Sequence, residues 1–596
     1  MRSDMPSLRE MPESDVVQPN EKCILPCKSD APTGRSRWLA CIHNLPAAAQ
    51  TLMAMLIVFG LYRLFRQPVS GWARADYTAQ SFLLSLLAEN ALKPAFWGSL
   101  LLAGGYAVFN RDLRSWGDLL RGGRMAWVAW TLIGVLVWTG SLYPFNFYFG
   151  QGHLVDRGII LLLGLVSLRF PACFPALLYA VVVTYLQWRV PGLSDAEYTN
   201  RKMVLDLAWV LCAAGLARPL INRCLPKATY AFTLACISAA LIHYWIPGVA
   251  KLKVGLDSWD WLLHDDLFNL SASTFVHGWS AFWDEEGLVR LLAFLQPLAL
   301  PMKVFVLVVE LALITAFWNR RWFVLLSAGR VMLHAGIFFF SGDSFWNWIV
   351  LQIALTAAFI EWPRRGQGDE KSAPTMGAEM RLFSWQSGAV AAVYLLITAN
   401  SHMASNLAWF DSQVTERYSV YAVMKGGRRL YVKPDFFEPY DFAFIQSQFH
   451  FLLPEKVLTR TFGAIHEARV AQAAREARTV EAVRGLIATH GKVQIDAKRT
   501  ASFDGFLKRW FAQHRALEGV LPKTLHTLSP PLHAYVLSKE TPDHTYQGEH
   551  PVERLEIEFE RTLFDGERFV EMDHRVVHTV SLNEEDKTPG VTAGGR

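Results

Sequence analysis

The sequence predicts an all-α polytopic membrane bundle of about 9–11 transmembrane helices followed by a C-terminal extracytoplasmic α+β domain. Three observations carry that expectation. Of 596 residues, 52% are hydrophobic and 22 are Trp, a composition too apolar and too aromatic for a soluble chain. Uncharged apolar runs recur through the first two thirds, several of them near the roughly 20 residues that a bilayer crossing needs. The last third is charged and patterned like a water-facing domain, so two unlike regions are implied.

The elements follow in order. Residues 1–36 are polar and rich in Pro, Ser and charge, carry no cleavable signal pattern, and are expected to form a disordered cytoplasmic leader. The membrane region, 37–405, holds apolar stretches at Ala47–Phe65, Ala95–Phe109, Met125–Leu142, Gly158–Leu168, Ala172–Leu186, Met203–Ala217, Ala228–Ile246, Leu295–Phe317, Trp322–Phe340, Phe345–Ile360 and Ser387–Ala399. In the domain at 406–582, Tyr418–Lys433 alternates like a strand, Val457–His490 has helical spacing, and Leu555–Glu560 with Phe569–Leu582 reads as a second strand group. That domain has no Cys, so disulfides do not hold it together. Residues 583–596 are expected to be a disordered tail.

Basic residues mark the cytoplasmic loops of short-looped membrane proteins. When the spans are threaded in order, Arg35/Arg37, Arg111/Arg114/Arg121/Arg124, Arg169, Arg218/Arg223/Lys227, Arg320/Arg321 and Arg364/Arg365 share one side. Arg63, Arg66 and Arg74 fall opposite. The amino terminus is then cytoplasmic and the domain after Asn406 lies outside, the layout of a multi-pass protein of a bacterial inner membrane. The outer segments Tyr143–Asp156, Arg189–Lys202, Pro247–Phe294 and Ser341–Ser344 are the ones rich in Trp, Tyr, Asp and His.

Several chemistries lack a signature. A net charge of +5 scattered over short loops argues against nucleic acid as a partner. The seven Cys lie at or before Cys236, and the one close pair, Cys23 and Cys27, has no second pair to complete a zinc site. There is no HExxH, no set of desaturase His boxes, no GxSxG and no phosphate loop, so no metal is expected. Paired interrupted helices of the transporter kind are not seen.

The candidate site begins at Trp245-Ile246-Pro247-Gly248-Val249-Ala250-Lys251-Leu252-Lys253, directly after an uncharged span. A cation placed there is either an interfacial anchor, its stem along lipid and its ammonium among headgroups, or a base. Pro247 and Gly248 predict a helix break before Lys251. Basic anchors favour the cytoplasmic side, and this pair falls on the other. Asp206, His243, Glu310 and His334 lie inside or at the ends of spans, where an ionisable group marks a functional site by default. Glu310, in mid-run, is protonated, paired with a cation such as a lysine, or lining a wet cavity. Tyr143, Asn146, Tyr148, His153, Asn200, Arg201 and Lys202 form a third set in outer loops or at helix entries. A base, a carboxylate, histidines and aromatics together suit an amphiphilic ligand with an acidic hydroxyl, such as a quinol.

Gly248-Val249-Ala250-Lys251-Leu252 followed by Asp257-Ser258-Trp259 resembles the Gly-x-x-Lys-Leu element of vitamin K-dependent gamma-carboxylases and their bacterial relatives, the HTTM (horizontally transferred transmembrane) proteins. Glu310 and the Asn319-Arg320-Arg321 turn, His334, Ser341-Gly342-Asp343-Ser344-Phe345-Trp346 and Phe59-Gly60-Leu61-Tyr62-Arg63 extend the resemblance, in order, over Pro46–Trp362. It implies Lys251 as the base, Glu310 as its charge partner and His334 as an orienting or proton-transfer group. His243, Asp257, Trp259, Asn200, Arg201 and Trp346 are then expected to bind substrate or quinol. The implied co-substrates are a reduced quinone like vitamin K hydroquinone, O2 and CO2, with no metal. The implied partners are the lipid bilayer and a polypeptide substrate at the external domain. Two stretches depart from the pattern: Lys253-Val254-Gly255-Leu256 is inserted, and an Asn-x-His element reads Tyr198-Thr199-Asn200-Arg201-Lys202. The competing expectation is a non-catalytic membrane scaffold, chaperone or export component acting through its external domain.

Overall fold

The computed structural model describes residues 42–72, 81–122, 124–142, 152–187, 196–280, 283–312, 314–360, 380–438, 440–516, 528–536, 540–549 and 551–582. The leader with Cys23 and Cys27, the loop residues Tyr143, Asn146 and Tyr148, the Arg364/Arg365 pair and the tail lie outside the described residues.

Each apolar stretch is largely helical. Among the described residues five segments are, by length and composition, able to cross a membrane: Ala47–Gly71, Arg201–Cys224, Ala231–Lys251, Glu285–Leu311 and Arg320–Ser341. Other apolar helices are shorter, such as Met125–Ser141 with 17 residues and Trp346–Phe359 with 14. At 1.5 Å per residue these reach only about 21–26 Å, short of a hydrocarbon core of about 30 Å.

Ala231–Lys251 is the central helix. It packs against Ala47–Arg66, Ala196–Cys224, Ala299–Leu311 and Trp385–Thr398, and every residue from Ala231 to Tyr244 is buried. Its Ala, Ser, Cys and Gly residues allow that crowding, because small side chains let backbones approach. The outer faces are apolar instead: Phe294, Leu300, Val304, Val308, Leu325, Met332, Phe339 and Leu396 are exposed.

Hydrogen bonds gather the basic loops with one another. Arg124 N donates to Ala358 O, Arg320 Nη2 to Ile360 O, Thr233 Oγ1 to Arg121 O, Lys227 Nζ to Leu45 O and Arg218 Nη2 to Phe109 O. Arg66, one of the cations that threading put on the opposite side, turns inward and donates to Tyr62 Oη and Ser401 O, both at 3.0 Å.

The C-terminal part contains β1 (Phe410–Asp411), β2 (Val414–Met424), β3 (Arg429–Val432), β4 (Lys456–Val457), β5 (Ala464–Ile465), β6 (Lys492–Val493), β7 (Val552–Phe564) and β8 (Phe569–Ser581). An antiparallel sheet of order β3-β2-β7-β8 dominates, with Val414 opposite Leu563 and Arg554 opposite Ser581. Leu555, Ile557 and Phe559 alternate inward, as period-two patterning requires. They share a core with Phe437, Phe444, Phe449 and the helix Ala497–Ala516, which contributes Phe503, Phe506, Leu507 and Trp510. The single helical stretch expected at Val457–His490 is instead β4, β5 and the helices Ala468–Glu476 and Val480–His490.

Hydrogen bonds, two between backbones and one from a side chain, join this part to the helices. Ser344 N donates to His533 O, Tyr535 N to Gly342 O, and Arg417 Nη1 to Val276 O. The long segment after Lys251 folds into short helices, Asp260–His264, Leu267–Val276 and Glu285–Leu295, that lie between the two parts.

Candidate functional site

Lys251 is the last residue of its helix, which runs through Pro247 and Gly248 without the expected break. A proline removes only one N–H, a loss that helices packed among other helices tolerate. Gly248 serves a close approach: a Cβ added there would stand 3.0 Å from Glu310 Cβ and 2.9 Å from Leu311 Cδ2. The facing helix, Ala299–Leu311, ends one residue after Glu310 rather than reaching Phe317, and the chain continues in turns. Glu310 therefore sits at a helix interruption inside an apolar run. Lys251 Nζ donates to both its oxygens, at 2.8 and 2.9 Å, with the two side chains 11% and 8% exposed.

Gly248→Val is expected to separate these helices and open the pair, with a loss of about 1–3 kcal/mol from overpacking. Thermal unfolding together with increased reactivity of the Lys251 amine would report it.

The Trp261 ring lies 5.5 Å from Lys251 Nζ and is buried. Trp259 is instead 58% exposed, and Asp257 Oδ1 accepts from the Trp259 N–H at 2.7 Å. Among the described residues no contact joins Asp257 or Trp259 to Lys251. Leu252, Val254 and Leu262 pack with Trp261 beneath Phe410, Ile465 and Val470, so the C-terminal part roofs this corner.

On the inner side of the pair, His334 Nε2 meets Tyr244 Oη at 3.1 Å. Trp348 presents its ring to His243, Tyr244, His334 and Phe345 at centroid distances of 5.2–5.5 Å. Trp346 is turned elsewhere, edge-on to Trp138 at 5.2 Å. His243 Nε2 pairs with Asp206 Oδ2 at 3.0 Å, part of a buried hub in which Asp206 also accepts from Tyr62 Oη at 2.6 Å and Met403 N at 2.8 Å. Arg201 is buried over the Tyr185 ring, 4.5 Å away, and acts electrostatically on His533, whose ring contacts Phe345. Lys202 Nζ donates to Ser405 Oγ at 2.7 Å. His153 lies buried 3.8 Å from Asp156. The Asn200 side chain lies outside the described residues.

The structure thus brings Lys251, Glu310, His334 and, through Trp348, His243 into one region. Trp261, Tyr244, Trp348 and Arg330 belong there too, although none of them is among the site residues expected from sequence. Arg330 carried the same signal as Glu310, a charge within an apolar run. Among the described residues no group of three or more His, Cys, Asp or Glu is arranged to hold a metal.

Above Lys251, at the junction, Asp265 Oδ1 accepts from Asp411 N at 2.8 Å, and Lys303 Nζ donates to Asp265 O at 2.6 Å. Burial pushes the Asp265 carboxyl up to about 7, and burial with the charge of Asp265 raises Asp411 as well. Asp266, Lys303, Arg475 and Lys251 are the other charges that act on the two carboxyls. An unfolded Asp titrates near ~3.9, so between about pH 4 and 7 the folded state binds more protons than the unfolded one. Stability then falls as pH rises through that window. Asp265→Asn is expected to flatten the fall, as measured by melting temperature at pH 5, 6, 7 and 8.

Compared with known protein families, with characterised proteins and with solved structures, the chain shows no match.

Proposed function

We propose that this chain is an integral membrane enzyme resembling the vitamin K-dependent gamma-carboxylases, in which Lys251 accepts the hydroxyl proton of a reduced quinone. The observation that carries this reading is the enclosed, two-bonded contact of the Lys251 amine with Glu310. A headgroup anchor would hold its nitrogen in water. Here the amine is turned inward, between a carboxylate and the face of Trp261.

The walls suit a flat amphiphile. Trp261, Tyr244, Phe345 and Trp348 provide aromatic surface, and among the described residues His334 Nδ1 has no partner of its own. When bound, a reduced quinone supplies the electrons for reaction with oxygen, and carbon dioxide is the group added to a protein glutamate. Glu310 takes the lysine's proton over the 2.8 Å bond and leaves the amine free to accept another. His334, held by Tyr244, orients the acidic hydroxyl toward it. The C-terminal part, which roofs the site, recognises the polypeptide.

The apolar outer faces support burial of the helices in a bilayer, and the joined basic loops support a cytoplasmic position for that end. The C-terminal domain is then outside a bacterial inner membrane.

The test is isotope-labelled bicarbonate added with reduced naphthoquinone to the full chain in lipid with its co-expressed neighbours. Label is expected in protein glutamate only with the quinol. Lys251→Ala abolishes it with membrane assembly intact, and Lys251→Arg also fails because guanidinium does not give up its proton. Full activity in Lys251→Arg removes the base assignment. Neither label nor quinol oxidation in the natural chain leaves the scaffold reading.

A further inference from the structure

Arg330 lies midway along the Arg320–Ser341 helix and is completely buried. Among the described residues none of its three nitrogens, Nε, Nη1 and Nη2, has a hydrogen-bond partner. Among the described residues its close electrostatic contact is the Tyr244 ring, 5.2 Å from the guanidinium carbon. A guanidinium does not shed its proton under physiological conditions, so the charge stays. A buried cation without a counter-charge is among the most costly groups a protein interior can hold, and a ring face offsets only a fraction of that cost.

The neighbours point to what completes it. His334 stands one helical turn further along, on the same face, and its Nδ1 has no partner among the described residues. The Tyr244 hydroxyl is bonded to His334 Nε2, and the buried Gln352 amide acts on that hydroxyl. These are donors or groups able to donate, and no carboxylate acts on Arg330 among the described residues. A guanidinium presents a flat fork that matches two oxygens in one plane.

We propose that Arg330, with His334 and Tyr244 beside it, forms a buried binding site for a small planar oxyanion of carboxylate type. The site does not depend on Lys251 acting as a base. Its ligand is a free small acid or the carboxylate head of an amphiphile, and these have the same chemistry at the guanidinium.

The test uses the full chain in lipid nanodiscs, with thermal unfolding followed in sodium formate, sodium decanoate and sodium chloride at equal ionic strength. A carboxylate that binds only the folded state raises the melting temperature in a saturable way over chloride. A response to formate identifies a free acid, and a response to decanoate alone identifies an amphiphile. Arg330→Met is expected to lose the response yet unfold in chloride at or above the temperature of the natural chain, since it removes an uncompensated charge. Arg330→Lys keeps a weaker response. No carboxylate-specific shift in the natural chain, or a full shift in Arg330→Met, overturns the proposal. Should Arg330→Met fail to fold, saturable binding of carbon-13 formate to the natural chain, weakened in Arg330→Lys, supports the site, and its absence overturns it.

Discussion

Removing the Glu310 carboxylate alone, as Glu310→Leu, is expected to destabilise the protein by about 3–5 kcal/mol, because it strands an enclosed ammonium. Lys251→Met alone strands the carboxylate and is expected to cost a similar amount. The double variant Lys251→Met/Glu310→Leu, of similar volume and without charge, is expected to regain most of the loss while any quinol-dependent activity stays absent. The reason is general: desolvating two charges offsets much of their attraction, so the pair adds little net stability although breaking it is costly. Denaturant unfolding of the four chains closes the cycle. Additive losses would mean that the two side chains do not interact, contrary to bonds of 2.8 and 2.9 Å.

The second large effect is expected at Asp206. Its carboxylate accepts from Tyr62 of the Ala47–Arg66 helix, pairs with His243 of the central helix, and accepts the N–H of Met403 after the Trp385–Thr398 helix. His402 Nδ1 stands 3.5 Å away, and its ring stacks on Tyr62 with centroids 4.9 Å apart. One buried carboxylate thus fastens three segments to the Ala196–Cys224 helix that carries it. Asp206→Ala is expected to cost about 3–5 kcal/mol, since buried donors lose their acceptor together. Asp206→Asn, which keeps one acceptor oxygen, is expected to cost less. The exposed carboxylate of Asp112, paired with Arg218, offers the contrast, where Asp112→Ala is expected to change stability by less than about 1 kcal/mol.

How far the chain could be read in advance depended on whether a feature is local. Apolar runs are a one-dimensional property, so the helices at Ala47–Arg66, Ala231–Lys251 and Arg320–Ser341 were plain. Alternation marked Tyr418–Lys433, which the structure divides into β2 and β3, and the second strand group expected at Leu555–Glu560 and Phe569–Leu582 falls in β7 and β8. Of the three readings open for Glu310, pairing with a lysine is the one the structure realises, and its partner is the lysine singled out in sequence.

What was missed depends on packing. Pro247 and Gly248 signal a break when read locally, but the facing Ala299–Leu311 helix needs the glycine for contact and the helix continues. Trp259 and Trp346 were each two residues from the ring that matters, Trp261 and Trp348. Two residues on a helix are about 200° apart, so Trp346, also buried, meets Trp138 while Trp348 faces His334, and Trp259 precedes its helix and is exposed. Helix Ala497–Ala516 was legible from Phe503, Phe506, Leu507 and Trp510 at helical spacing, and its charged remainder obscured it. The hub at Asp206 joins residues 144, 37 and 197 positions apart, beyond any spacing rule.

Amine labelling tests the enclosed lysine most directly, because the chain supplies its own control. Lys253 is exposed two residues beyond Lys251. When the folded full chain in lipid is treated briefly with a water-soluble amine-reactive ester and read by mass spectrometry, Lys253 is expected to be modified and Lys251 to remain almost untouched. Glu310→Ala should narrow the difference. Modification of both lysines at the same rate in the natural chain would contradict the enclosed pair and, with it, the role given to Lys251.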